Sequence, residues 1–148
     1  MQKRKTVRPV EILLVEDNDV DIELTREALR ESKLSNHLNV VEDGEEALKY
    51  LKGEAPFHNF PKPDLILLDL NLPNMDGREV LAEIKKDENL RRIPVVVLTV
   101  SKDEQDILSV YNLHANCYIT KPVDFEQFTS IVKSIENFWF TIVTLTES

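Results

Sequence analysis

Short apolar runs alternate along this chain with longer stretches in which apolar residues recur every three or four positions. Residues 65–68 are four consecutive large apolar side chains, a pattern typical of a strand buried on both faces of a parallel sheet. Similar runs predict four further strands, at residues 10–15, 37–42, 94–99 and 117–120. The alternation of strand and helix signals indicates an α/β protein.

The stretches between these runs predict five helices. We expect the first to extend from Asn18 or Asp19 to about Glu31, with Val20, Leu24 and Ala28 facing inward. The other four are marked by apolar residues at helical spacing, namely Ala47, Leu48 and Leu51; Val80, Leu81 and Ile84; Ile107, Leu108 and Tyr111; and Phe125, Phe128, Val132, Ile135 and Trp139. Five strands alternating with five helices predict a doubly wound, flavodoxin-like parallel sheet with strand order 2-1-3-4-5.

Three segments lie outside this alternation. Residues 53–63 contain three prolines and predict a loop, whose Phe57 and Phe60 we expect to pack against the domain rather than bind a partner. We expect residues 1–8 to form a flexible basic tail and residues 9–137 a single domain. Residues 138–148 are then an extended apolar C-terminal tail.

Composition narrows the possible functions. A net charge of −9 over 148 residues excludes a broad basic face for nucleic acid. The single cysteine, Cys117, predicts no internal disulfide and fits a cytoplasmic protein. No apolar run reaches the roughly 18 residues of a membrane span, and the basic start lacks the apolar core of a secretion signal. With only three glycines, the chain has no glycine-rich turn for a dinucleotide.

Polar residues follow four of the predicted strands. Glu16 and Asp17 come after the first strand, Asp69 after the third, Thr99 at the end of the fourth and Lys121 after the fifth. In the order 2-1-3-4-5, the first and third strands are neighbours, and their carboxyl ends flank the crevice in which such sheets bind ligands. Alone, Asp69 could be a turn or helix cap, and the first acidic pair could merely complement a helix dipole.

Together, these residues predict a phosphorylation site. Three crowded carboxylates repel one another unless a cation neutralises them, and oxygen ligands suit Mg²⁺. Lys121 and Thr99 offer donors to phosphate oxygens. We therefore expect Asp69 to attack a phosphoryl group while Mg²⁺ offsets its charge and Lys121 and Thr99 hold the product.

The chain resembles the receiver domains of bacterial two-component response regulators over nearly its whole length. The motifs that carry the resemblance are Leu14-Val15-Glu16-Asp17-Asn18, Asp69-Leu70-Asn71-Leu72-Pro73, Met75-Asp76-Gly77, Leu98-Thr99 and Tyr118-Ile119-Thr120-Lys121-Pro122. The resemblance implies that Asp69 is the phosphoacceptor, that Asp17 ligates Mg²⁺ directly and that Glu16 does so through water. It also implies that Asn71 gives its backbone carbonyl to the metal, and that Thr99 and Tyr118 form the switch.

Within that family, three segments look like the small regulators that serve cyanobacterial-type phytochrome histidine kinases: residues 71–73, 114–118 and 138–141. The resemblance implies a phytochrome-type sensor kinase as partner, and signalling through a changed surface of the fourth helix, the fifth strand and the fifth helix. Val100 stands where many receivers carry a second hydroxyl, so the hydrogen bonds that follow Thr99 are expected to differ.

The apolar tail predicts a homodimer. The sheet already has helices on both faces, so the tail has no interior position, and large apolar side chains left in water would form an unusually large patch. We expect the tail to pack against a second copy in a two-fold dimer linked to phosphorylation. The residues assigned to this contact are Phe138, Phe140, Ile142, Val143 and Leu145.

Two other classes of function fit parts of the pattern. A phosphatase or mutase with an aspartyl nucleophile shares the apolar strand and Asp69, but it would have a second acid where Asn71 stands, and a cap domain. A structural pseudo-receiver would have lost the acceptor, the metal acids or the lysine. The residues present favour a phosphoacceptor signalling protein over both, and over an enzyme acting on a free substrate.

Overall fold

The computed structural model describes residues 9–31, 35–99, 117–120 and 126. Strands and helices alternate along them: β1 (Val10–Val15), α1 (Asp19–Arg30), β2 (Asn36–Val41), α2 (Gly44–Lys52), β3 (Leu65–Asp69), α3 (Gly77–Lys86), β4 (Val95–Thr99) and β5 (Cys117–Thr120). In this part of the chain, no helix has both the length and the apolar character needed to cross a bilayer. The expected fourth and fifth helices and the C-terminal tail lie outside the described residues.

The strands form one parallel sheet in the order β2-β1-β3-β4-β5. Val15, at the end of β1, lies opposite Val41 of β2 and Leu68 of β3, and Asp69 lies opposite Leu98 of β4. Because the strands are parallel, all their carboxyl ends meet at one edge of the sheet. The predicted parallel α/β architecture is confirmed.

Apolar side chains cover both faces of the sheet. On one face, alternate residues of β1 and β3 pack with α2 and α3 in one cluster of buried residues. On the other face, the intervening residues of the same strands pack with Ile22, Ala28 and Leu29 of α1. This arrangement explains why the run at 65–68 is apolar at every position rather than at alternate ones.

Each described helix begins with an Asn or Asp side chain that accepts a hydrogen bond from the first turn. Asn18 Oδ1 accepts from the Asp21 N–H at 3.0 Å, Asp43 Oδ1 from the Glu46 N–H at 2.8 Å, and Asp76 Oδ1 from the Arg78 N–H at 2.7 Å. Such caps each contribute about 1 kcal/mol and fix where the chain turns from strand to helix. The three turns lie at the carboxyl edge of the sheet, beside the predicted site.

The predicted inward face of α1 is wrong. Val20 and Leu24 are 67% and 41% exposed, whereas Ile22 and Thr25 are buried. The Thr25 hydroxyl donates to the Asp21 carbonyl oxygen at 2.8 Å, so the helix buries this polar side chain without leaving it unpaired. Polarity alone therefore pointed to the wrong stripe, although Ala28 is buried as expected.

The loop at 53–63 packs against α2 through aromatic rings. The ring centroids of Phe57 and Phe60 lie 5.4 and 5.5 Å from that of Tyr50, and 5.5 Å from each other. The Tyr50 hydroxyl donates to the Pro61 carbonyl oxygen at 3.0 Å. The prediction that both phenylalanines pack on the domain is confirmed, although the burial of Tyr50 was not predicted.

Candidate functional site

Three carboxylates converge at the carboxyl edge of the sheet. Glu16 and Asp17 follow β1 and Asp69 ends β3, and one oxygen from each lies within 4.8 Å of the others. Glu16 and Asp69 are only 1% and 2% exposed, whereas Asp17 faces solvent. The structure thus brings together the three acids that were predicted to meet at the strand ends. Two of them are buried, and the third, Asp17, opens the group to solvent.

Backbone N–H groups orient the two buried carboxylates. The Asn71 N–H donates to Asp69 Oδ1, and the Asn18 N–H donates to Glu16 Oε2, both at 3.2 Å. The Glu16 N–H itself donates to the Val41 carbonyl oxygen at 3.0 Å, which fixes Glu16 beside β2. The Glu16 and Asp69 carboxylates are therefore each held in one direction by a backbone N–H.

The donor set fits a hard divalent cation. Three carboxylates this close repel one another in a partly buried setting, and a bound cation relieves that repulsion. All three offer oxygen, the donor that Mg²⁺ and Mn²⁺ take in proteins, and the exposure of Asp17 leaves a side open to water and phosphate oxygens.

Two hydrogen bonds and the close approach of Gly77 hold the backbone around Asp69. The Leu70 N–H donates to the Leu98 carbonyl oxygen and the Gly77 N–H to the Leu70 carbonyl oxygen, both at 3.0 Å. A Cβ at Gly77 would overlap the Asp69 carbonyl oxygen and lie 2.6 Å from Leu70 Cα. In the sequence, Gly77 figures only as part of the motif Met75-Asp76-Gly77, and its close approach to Asp69 was not predicted.

The remaining predicted site residues are placed only in part. Thr99 is the last residue of β4, next to β3, and Tyr118 lies in β5 opposite Val97; their side chains are not described. Lys121, Val100 and the tail residues of the expected dimer contact lie outside the described residues. Their roles stay predictions.

Comparison with known proteins gives consistent results. The family model "Response regulator receiver domain" matches residues 12–133. The response regulator Rcp1 of Synechocystis sp. is 49% identical over 137 residues, which cover 93% of this chain and 93% of Rcp1.

Two solved structures are similar throughout the fold. The phosphorylated cyanobacterial phytochrome response regulator RcpA is 54% identical with a TM-score of 0.81, covering 91% of this chain and 96% of RcpA. The Mn²⁺-bound form of Rcp1 is 49% identical with a TM-score of 0.79, covering 88% of this chain and 94% of that structure. Receiver domains are phosphoacceptor signalling modules that bind a divalent metal, and this chain belongs to the response regulator receiver domain family.

Proposed function

We propose that this protein is a response regulator that accepts a phosphoryl group onto Asp69 with Mg²⁺, from a phytochrome-type sensor histidine kinase. The observation that carries the proposal is the convergence of Glu16, Asp17 and Asp69 within 4.8 Å at the carboxyl edge of a parallel sheet. The similarity to RcpA, a cyanobacterial phytochrome response regulator, supports the choice of kinase. The domain occupies residues 9–137 in this proposal, between the basic tail and the apolar extension.

The order of the strands supports Asp69, rather than Glu16, as the nucleophile. Asp69 ends β3 beside β4, the strand that ends in Thr99, whereas Glu16 follows β1 and is bonded through its backbone to β2. Asp69 thus stands between the other two acids and the strands that lead to Thr99 and Lys121. A phosphoryl group on Asp69 would have the cation on one side and the predicted donors on the other.

The transfer is a displacement at phosphorus. A carboxylate oxygen of Asp69 forms the new P–O bond, the bond from phosphorus to the phosphohistidine nitrogen breaks, and its electron pair returns to that nitrogen. Asp17 and Asp69, the Asn71 backbone carbonyl and, through water, Glu16 would hold Mg²⁺, which when bound offsets negative charge on the phosphoryl oxygens. The hydrogen bond from the Asn71 N–H holds the buried Asp69 carboxylate in one orientation, so little reorganisation would precede attack.

The test is incubation with Mg²⁺ and acetyl phosphate, followed by intact-mass measurement. We expect one labile phosphoryl group on the natural chain and none on Asp69→Asn, with slower labelling of Asp17→Asn because one charge fewer faces the cation. Asp87→Asn is the matched control, because Asp87 lies at the far end of α3 and its carboxylate serves a turn. Stoichiometric labelling of Asp69→Asn at another residue would contradict the assignment, and turnover of free substrate would indicate a phosphatase.

A phosphotransfer assay tests the identity of the partner kinase separately from the role of Asp69 as phosphoacceptor. A purified phytochrome-type histidine kinase, labelled on its histidine, should transfer to this chain faster than an unrelated sensor kinase does. Labelling by acetyl phosphate combined with equal, slow transfer from both kinases would leave the phosphoacceptor role intact and refute the phytochrome partner.

How the phosphorylated protein passes on its signal is proposed from the sequence alone. Thr99 would move toward the phosphoryl group and Tyr118 would turn, which changes the surface of the fourth helix, β5 and the fifth helix. The tail would join two copies, so truncation after Asn137 should weaken the dimer. Sedimentation of full-length and truncated protein, with and without phosphoryl group, tests this, and a full-length chain that is monomeric in both states would refute the dimer.

A further inference from the structure

The turn between β3 and α3 contacts the turn that begins α2. The Asp43 carboxylate uses both oxygens: Oδ1 accepts from the Glu46 N–H at 2.8 Å as the helix cap, and Oδ2 accepts from Asn74 Nδ2 at 3.3 Å. These two turns are 31 residues apart in sequence but adjacent at the carboxyl edge of the sheet. One side chain therefore fixes the start of α2 and also reaches the turn between β3 and α3.

A second contact joins the same two turns through backbone atoms. Gly44 lies so close to Met75 that a Cβ on Gly44 would be 2.7 Å from the Met75 carbonyl oxygen and 2.8 Å from Met75 Cβ. Residues 43–44 thus press against residues 74–75 and also bond to them. We call this pair of contacts the 43–74 clasp.

The clasp acts on a turn whose outer residues are exposed in the part of the chain that the structure describes. Asn71, Pro73 and Asn74 are exposed, and Asn74 has a φ of 66°, in the left-handed region that costs a non-glycine residue about 1 kcal/mol. The turn is closed on its inner side by the Met75 N–H, which donates to the Pro73 carbonyl oxygen at 2.7 Å. Glycine would adopt this conformation without strain, but only asparagine also supplies an amide to Asp43.

We propose that Asn74 is a positioning residue, which through Asp43 holds the turn so that the Asn71 peptide stays in place for Asp69 and the metal. The Asn71 N–H already orients Asp69 at 3.2 Å, and its carbonyl is the backbone oxygen assigned to the cation. Loss of the clasp lets that peptide shift, which weakens metal binding although all three carboxylates are still present. This inference rests on the proposed phosphoacceptor function.

The test uses two single variants and their combination in the full chain. Asn74→Gly keeps the left-handed backbone and removes the amide. Asp43→Ser keeps an oxygen that can cap α2 and removes the second acceptor. Asp87→Ser is the matched control, because Asp87 Oδ1 also holds a turn beside α3, by accepting from the Asn89 N–H at 2.7 Å, but at the opposite end of the helix.

Three measurements are made: Mg²⁺ affinity by calorimetry, the rate of labelling by acetyl phosphate at saturating Mg²⁺, and hydrogen exchange of the Asn71 amide without metal. The loss of one such bond should lower Mg²⁺ affinity about three- to tenfold in each single variant and accelerate Asn71 exchange by a similar factor. The double variant should be no worse than the worse single, because both remove the same bond. Asp87→Ser should leave all three measurements unchanged.

Two results would overturn the inference: single variants with the affinity and Asn71 exchange of the natural chain, or losses that multiply in the double variant. The failure of the proposed function would look different. A natural chain that takes up no phosphoryl group would refute that function, while Asn71 exchange in metal-free protein would still decide whether the clasp holds the turn.

Discussion

The two ends of the sheet are built on opposite principles. At the carboxyl end, Glu16, Asp17 and Asp69 bring like charges within 4.8 Å. At the amino end, the rings of Tyr50, Phe57 and Phe60 meet at centroid distances of 5.4 and 5.5 Å, and the Tyr50 hydroxyl has an acceptor. The aromatic contacts and the Tyr50 hydrogen bond stabilise the folded state, whereas repulsion among the three carboxylates opposes folding.

Polar side chains also make contacts between neighbouring strands at the amino end of the sheet. Asp64 Oδ2 accepts from the Glu11 N–H at 2.9 Å, just before β3 begins. His37 Nδ1 lies 2.9 Å from Glu11 Oε1 on the neighbouring strand, with the imidazole exposed to solvent. The comparison teaches that removing a ring at the amino end should destabilise the fold, whereas removing one carboxylate charge at the carboxyl end should stabilise it, since the acids there serve a bound cation and a phosphoryl group rather than folding.

The largest loss of stability is expected at Gly77, which packs against the backbone of Asp69 and Leu70 at the carboxyl end. Gly77→Ala places a Cβ against the Asp69 carbonyl and Leu70 Cα, so the backbone must shift, at a cost of about 3 kcal/mol in unfolding free energy. Phosphorylation should slow as Asp69 moves. Urea unfolding and acetyl phosphate labelling measure both effects. The control is Gly53→Asn, which has open space around its Cβ and a φ of 69° that Asn tolerates; equal losses in the two variants would contradict the close-approach explanation.

The next effect tests the amino end. Phe57→Ala removes a half-buried ring from the aromatic cluster and should lower the unfolding free energy by about 2 kcal/mol. Phe60→Ala should cost less, about 1 kcal/mol, because Phe60 is 48% exposed. Both variants should take up a phosphoryl group at the natural rate, since the cluster lies away from the acids. Slower phosphorylation of either variant, at a temperature at which it is fully folded, would show that the aromatic cluster and the acidic site are coupled.

A smaller change of opposite sign is expected at the carboxyl end. In chelator, Asp69→Asn should raise the unfolding free energy by about 1 kcal/mol, because it removes repulsion with Glu16 and Asp17. Excess Mg²⁺ should then stabilise the natural chain much more than the variant, since only the natural site gains from binding. Urea unfolding with and without Mg²⁺ measures this, with Asp87→Asn as control. Destabilisation of metal-free Asp69→Asn would refute the repulsion argument.

The smallest effect concerns the Tyr50 hydroxyl. Burial, followed by the negative charge of Glu11, raises the pKa of Tyr50, so the folded state keeps this proton at pH values where the unfolded chain begins to lose it. Tyr50→Phe should cost about 0.5 kcal/mol at pH 7 through the lost bond to Pro61.

The pH dependence follows from the sign of that shift. The folded state binds the proton more tightly, so the contribution of Tyr50 is complete below about pH 10 and is lost as the pH rises above it. The difference between the natural chain and Tyr50→Phe should therefore narrow between pH 9 and 11 in unfolding experiments. A difference that widens over this range would contradict the raised pKa.

The strands and the acidic edge followed from the sequence by itself. A run such as 65–68 can bury all its apolar side chains only if both faces of the sheet are covered. A parallel sheet then places every residue that follows a strand at the same edge. Because β1 and β3 are neighbours, Glu16, Asp17 and Asp69 meet at that edge. The resemblance to receiver domains added roles to residues that the pattern had already brought together.

Tertiary structure alone decided the features that depend on residues far apart in the chain. The rotation of α1 was misjudged because Thr25 could satisfy its hydroxyl within the helix, so that polarity no longer indicated exposure. The close approach of Gly77 to Asp69 and the bond from Asn74 to Asp43 are contacts between turns, and no periodicity encodes them. Sequence patterns report how one element repeats along its own axis; how two elements fit against each other is set by packing in three dimensions.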